Sequence, residues 1–131
     1  MKQVLIADDE PHVIRVLKLS LDRAGYNTDS VPNGEAALAW IRDRHPDVLI
    51  TDIEMPRMTG KDLCMQLEKE FPQRKFLIFV LTSRTEIEHR EWTGSLSNVM
   101  FLEKPVSTRK LIAMLDDYFK QQEPEKDNRL E

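Results

Sequence analysis

A single α/β domain, doubly wound around a five-stranded parallel sheet in the strand order 2-1-3-4-5, is the fold this sequence predicts. Three observations carry the expectation. Five short β-rich apolar runs alternate with longer segments of helical period, the pattern of strands joined by right-handed helical crossovers. The fourth run is apolar without interruption, as a strand covered on both faces must be. The second run is the most polar, which places it at a sheet edge and selects this strand order.

The first run is Val4 to Ala7. Pro11 then suits the first turn of a helix whose apolar side is Val13, Val16, Leu17, Leu21 and Ala24, and Gly25 stops it. The second run, Tyr26 to Val31, carries Asn27, Thr28, Asp29 and Ser30. Asn33 can cap a second helix with Ala37, Leu38 and Ile41 on its apolar side, ended by His45-Pro46. The third run, Val48 to Thr51, leads to a helix capped by Thr59 that carries Leu63, Leu67 and Phe71 before Pro72.

The fourth run, Phe76 to Leu81, precedes the weakest element. A capping-box pattern, Thr85 with Glu88, opens a helix with only Ile87 and Trp92 as an apolar stripe. The fifth run is Val99 to Leu102. Ser107 then caps a helix with a clear core stripe of Leu111, Ile112, Leu115, Tyr118 and Phe119. From Lys120 onward seven of twelve residues are charged and only Leu130 is apolar, too little to add to a core. The expected division is therefore a domain over residues 1–120 and a charged tail or linker over 121–131.

Composition narrows function by exclusion. The 131 residues include 19 Lys and Arg and 23 Asp and Glu, which argues against a membrane protein. A chain of this length can bury a core without staples, and the single cysteine, Cys64, has no internal partner. A net charge of −4 disfavours direct, non-specific binding to nucleic acid, which rests on neutralising phosphates. The few apolar residues before Asp8 are too short for a signal peptide, so the cytoplasm is the expected compartment. His12, His45 and His89 stand singly and read as surface residues.

In open α/β sheets ligands bind beyond the carboxyl ends of the strands. Asp8 and Asp9 follow the first run, Asp52 the third, Thr82 and Ser83 the fourth, and Lys104-Pro105 the fifth. Taken alone, each has an ordinary reading. Asp8 or Asp9 could cap the first helix, Asp52 could serve a turn, Thr82 could bond local backbone, and Lys104 could be solvated. Together, three carboxylates, a hydroxyl and an ammonium converge on one crevice. Converging carboxylates need a hard cation such as Mg²⁺, or another divalent ion such as Mn²⁺, and Mg²⁺ typically acts with phosphate. A carboxylate can then attack phosphorus while cation, lysine and hydroxyl stabilise the phosphoryl oxygens. Asp52, mid-sheet, is the central candidate.

At these residues the sequence resembles the receiver domain of bacterial two-component response regulators, of the chemotaxis-regulator type. The resemblance spans roughly residues 2–120. It rests on VLIADDEP (4–11), LITDIEMPRMTG (49–60), VLTSR (80–84) and FLEKP (101–105). It implies a flavodoxin-like receiver fold and a phosphorelay switch in which Asp52 accepts the phosphoryl group. Asp9, Asp52 and the main-chain carbonyl of Glu54 would hold Mg²⁺, with Asp8 acting through water. Lys104 would contact the phosphoryl group, and Thr82 and Phe101 would be the switch residues. Lys104-Pro105 is a candidate cis peptide. The implied partners are a sensor histidine kinase or phosphotransfer protein upstream, and a downstream protein or an output domain. A homodimer formed on phosphorylation is compatible with the resemblance. The implied signalling element is the fourth helix, fifth strand and fifth helix.

Departures from the family pattern are Ser83 after the threonine, Ser97-Asn98-Val99-Met100 before the fifth strand, and Phe101 in place of a tyrosine. Glu54 and Arg84 occupy positions that tune dephosphorylation in this family, and an ion pair between them over the site is expected. Rival readings fare worse. A nucleotide-binding flavodoxin-like protein needs a Gly- or hydroxyl-rich loop where this chain has Asp8-Asp9-Glu10. A phosphohydrolase lacks an evident leaving-group acid. The nearest rival is a receiver used only for protein interaction.

Overall fold

The computed structural model describes residues 1–83, 96 and 98–122. In chain order the elements are β1 (Gln3–Ala7), α1 (Pro11–Arg23), β2 (Asn27–Val31), α2 (Gly34–Asp43) and β3 (Val48–Asp52). They continue with α3 (Gly60–Glu70), β4 (Leu77–Thr82), β5 (Val99–Glu103) and α4 (Thr108–Gln122). The expected fourth helix from Thr85, with Arg84, Ile87, Glu88, His89 and Trp92, lies outside the described residues, as do residues 123–131. The last helix of the sequence reading is α4, and it continues to Gln122, past the expected boundary at residue 120.

All strands are parallel, in the order β2-β1-β3-β4-β5. The polar run is an edge, as expected, and β3 is central. Because side chains alternate along a strand, each strand feeds two cores. Leu5, Ala7, Leu49, Ile78 and Val80 pack with Ala37, Ile41, Leu63 and Leu67 of α2 and α3. Val4, Ile6, Ile50, Phe79 and Leu81 pack with Leu17 and Leu21 of α1 and with Leu111 and Leu115 of α4. Every residue of β3 and β4 is buried.

Local chemistry accounts for the helix starts. The Asn33 side chain accepts from Ala36 N at 2.8 Å, Thr59 Oγ1 from Asp62 N at 3.1 Å, and Ser107 Oγ from Lys110 N at 3.2 Å. All three are the caps expected from sequence. Gly25 ends α1 in a left-handed turn at φ 96°, where a Cβ would be strained.

The apolar side of helix α1 departs from expectation. Val16 is 52% exposed and Ala24 is exposed, while Ile14 packs inward with Leu17 and Leu21. The spacing 14, 17, 21 holds the buried line over two turns, and Val16 falls to its flank. The ordinary reading of Asp8 or Asp9 as the helix cap does not hold: the N-cap is Glu10, whose side chain accepts no capping bond. His12 and His45 are exposed, as expected, and Cys64 is buried.

Candidate functional site

The crevice forms where the sheet's connections part in opposite directions. From β1 the chain turns into α1 on one face, and from β3 into α3 on the other, which opens a gap above their carboxyl ends. Asp8 follows β1 directly. Its Oδ1 accepts from Glu10 N at 2.9 Å, which turns the chain before the helix. Asp52 ends β3 and is 2% exposed. Its Oδ1 accepts from Ile53 N at 2.8 Å and meets Lys104 Nζ at 2.8 Å.

Lys104 arrives from beyond β5. Its main-chain N donates to Thr82 O at 2.9 Å, which fixes the start of the loop against the end of β4, and the Lys104-Pro105 peptide is cis, as expected. Thr82 is the last residue of β4, 3% exposed, between the strands that supply Asp52 and Lys104. Phe101 on β5 is half-buried and packs against the α2 and α3 core, beside Val80 in register. Glu54 lies in the loop after β3 with its side chain exposed. Arg84, its expected ion-pair partner, is outside the described residues.

Carboxylate oxygens of Asp8, Asp9 and Asp52 lie within 4.8 Å of one another. Opposite ligands of one Mg²⁺ are separated by about 4 Å, so one hard cation can bridge this set. A second observation agrees: Asp8 Oδ2 is buried and among the described residues has no hydrogen-bond partner. Such an orphaned anionic oxygen is costly, and a hydrated divalent cation would satisfy it through a bound water. Burial pushes the Asp8 carboxyl up to about 6. The Glu10 amide opposes the rise, the Asp52 charge adds to it, and Lys104 opposes it while Glu10 adds to it. Burial alone would lower the Lys104 pKa; the hydrogen bond and charge of Asp52, with Asp8 and Glu10, more than reverse this and raise it. Lysine therefore stays charged beside its carboxylate, a fixed cation for an anionic group entering the crevice.

Sequence reasoning assigned Gly60 no role. A Cβ there would stand 2.3 Å from Asp52 O, and Gly60 N donates to Ile53 O at 2.9 Å. The start of α3 is thereby clasped against the residue that carries the central carboxylate. Gly34 does the same for the loop between β3 and α3, since its Cβ would meet Met58 O at 2.5 Å. The only signal is that both glycines stand where a helix begins, immediately after the capping residues Thr59 and Asn33.

A 2-1-3-4-5 parallel sheet with acids at its switch point and a lysine facing them defines a flavodoxin-like signalling domain of the receiver class. The chain belongs to the response regulator receiver domain family, which it matches over residues 4–116. It is similar to the alkaline phosphatase synthesis transcriptional regulatory protein PhoP of Bacillus subtilis, 30% identical over 86% of this chain and 46% of the relative. It is also similar to the response regulator MprA of Mycobacterium avium, 30% identical over 95% of this chain and 54% of the relative. The chain thus spans about half the length of these curated relatives. Among solved structures, a Francisella response regulator receiver domain superposes with a TM-score of 0.84 at 26% identity, covering 94% of this chain and 100% of that one. The chemotaxis protein CheY4 of Vibrio cholerae gives 0.80 at 27% identity, covering 89% and 98%. The family is a signalling regulatory domain, not a conventional enzyme, and its acidic cluster is compatible with a divalent metal.

Proposed function

We propose that this chain is the phosphorylation-activated switch of a two-component phosphorelay, with Asp52 as the acceptor. The observation that carries the reading is the 2.8 Å pairing of Asp52 with Lys104 inside a cluster of two further carboxylates. A phosphohistidine of a sensor kinase or phosphotransfer protein is the donor. An Asp52 carboxylate oxygen attacks phosphorus, the O–P bond forms as the donor's N–P bond breaks, and the imidazole leaves with its electron pair.

Asp9, Asp52 and the Glu54 main-chain carbonyl are the residues that would hold Mg²⁺ or Mn²⁺, with Asp8 through water. When bound, the ion neutralises phosphoryl charge. Lys104 shifts from the carboxylate to a phosphoryl oxygen, and the Thr82 hydroxyl donates to another. Phe101 follows Thr82 by packing alone, having no ring hydroxyl. Phosphorylation adds about −1.5 to −2 charges, and a near-complete two-state shift requires about 5.5 kcal/mol of differential stabilisation. The face that reads this change includes β5 and α4, and it acts on a downstream protein or an output domain. Among the described residues no helix is long and apolar enough to cross a membrane, and we assign the switch to the cytoplasm.

The test is intact mass after incubation of wild type and Asp52→Asn with acetyl phosphate, with and without Mg²⁺. One added phosphoryl group that requires both Asp52 and Mg²⁺ is the expected result. If no adduct forms with acetyl phosphate or with a phosphorylated kinase, and beryllofluoride with Mg²⁺ leaves the spectrum unchanged, the switch reading fails in favour of a phosphorylation-independent interaction module.

A further inference from the structure

At the opposite end of the sheet from Asp52 lies a cleft of about 360 Å³ that the switch chemistry does not use. It is walled by Lys2 before β1, Asp47 before β3, Lys75 and Phe76 before β4, and Tyr118 and Phe119 near the end of α4. Its volume falls within the usual range of small-molecule sites, about 300–1,000 Å³. We propose that this cleft binds a small aromatic anion, of the class and size of a nucleoside monophosphate.

Three features select that chemistry. The first is aromatic surface: Tyr118 and Phe119 are partly buried against the α1 and α4 core, with ring centroids 5.2 Å apart in an edge-on arrangement. The second is a net positive charge. Lys2 and Lys75 are exposed, and among the described residues neither ammonium has an ion-pair partner. The Asp47 carboxylate, whose Oδ2 accepts from Gln3 N at 2.8 Å, offsets one of the two ammonium charges and leaves the cleft cationic. Lys2 Nζ stands 5.0 Å from the Phe119 ring centroid, so cationic and aromatic surfaces adjoin.

The third feature is a floor that is already built. Asp47 N donates to Gln3 O at 2.8 Å and Leu77 N to Asp47 O at 3.3 Å, tying the entrances of three strands together. Phe76 is buried beside them. A preformed cleft costs a ligand little in ordering of the protein. Orientation follows from the ends of α4. The carbonyls of its last turn disfavour negative charge near Gln122, so the ring lies against Tyr118 and Phe119 and the anionic group faces Lys2 and Lys75. Inorganic phosphate satisfies the charge and leaves the aromatic wall unused.

The test is a titration of ¹⁵N-labelled protein, without Mg²⁺, with adenosine monophosphate, phenyl phosphate and inorganic phosphate. The wild type is compared with Lys2→Glu/Lys75→Glu, whose exposed positions leave the core untouched. The proposal expects saturable shifts at the amides of residues 2, 47, 75, 76 and 118–122 with the aromatic ligands. It also expects binding weaker by about tenfold in the double variant, as loss of two charge-assisted contacts implies. Absence of saturable shifts there up to about 10 mM, equal affinity in the double variant, or equal affinity for inorganic phosphate overturns it. So do aromatic-ligand shifts confined to the Asp52 end of the sheet.

Discussion

Lys104 Nζ and Asp52 Oδ1 meet at 2.8 Å although β3 and β5, which deliver them, are not neighbours in the sheet. The lysine reaches across the end of β4, the strand that lies between them and ends at Thr82. The main chain of the lysine is held to that same strand end, Lys104 N donating to Thr82 O at 2.9 Å.

Replacing Lys104 separates its two effects. Lys104→Met leaves a carboxylate that is 2% exposed without its cation, and stability in urea should fall by about 1–3 kcal/mol. The rate of Asp52 phosphorylation by acetyl phosphate should fall by about tenfold or more, since fixed charge at a transferring phosphoryl group is worth at least that. An unchanged rate would show that the lysine serves only the resting state.

Asp8 should limit stability in the absence of metal. Its carboxyl is raised by burial from 3.8 to about 6, so between those values the folded state holds the proton more tightly than the unfolded state. The associated stability is fully present below 3.8 and lost as pH rises through 6. Two units correspond to about 3 kcal/mol, so Asp8→Asn should raise metal-free stability at pH 7 by roughly 1–3 kcal/mol. It should also weaken stabilisation by Mg²⁺, measured by thermal melts with and without the ion.

Two glycines should fail differently. Gly60→Ala places a Cβ 2.3 Å from Asp52 O, a clash with backbone that must displace either β3 or α3. A loss of about 2–4 kcal/mol together with impaired phosphoryl uptake is expected. Gly25→Ala meets nothing within 4 Å but sits at φ 96°; it should cost about 1–2 kcal/mol and leave phosphoryl uptake intact. Urea melts paired with intact-mass assays distinguish the two.

Tyr26 Oη donates to Asp116 Oδ1 at 2.6 Å, linking the start of β2 to α4. Burial, the hydrogen bond and the charge of Asp116 all raise the phenol's pKa. The stability this contributes is fully present below the ordinary tyrosine value of 10.0 and lost as pH rises toward the raised one. Tyr26→Phe should cost about 1–2 kcal/mol at neutral pH and flatten the alkaline decline in stability above about pH 10. Parallel declines in both proteins would refute the linkage.

What sequence made legible was local or repeated. Asn33, Thr59 and Ser107 cap as expected because a cap depends on residues three positions apart. The polar β2 and the uninterrupted apolar run from Phe76 to Leu81 announced edge and interior, and the strand ends put Asp8, Asp9, Asp52, Thr82 and Lys104 on one rim. Long-range contacts were not legible. Nothing in the chain near Gly60 tells that Asp52 O approaches it, and nothing near Tyr118 tells that Lys2 and Lys75 share its cleft. Val16 misled because it and Ile14 both fit a helical period, and only the angle at which α1 lies on the sheet chooses between them.

The two edges of the sheet are unequal. Along β2, Thr28 binds Lys18 and Asp22 while Asp29 accepts from Trp40, so its polar side chains are tied down and carry negative charge against an incoming strand. At the other edge β5 offers Val99 and a Met100 that is 37% exposed. The tied, charged side chains of β2 therefore block growth of the sheet by strand addition from that side.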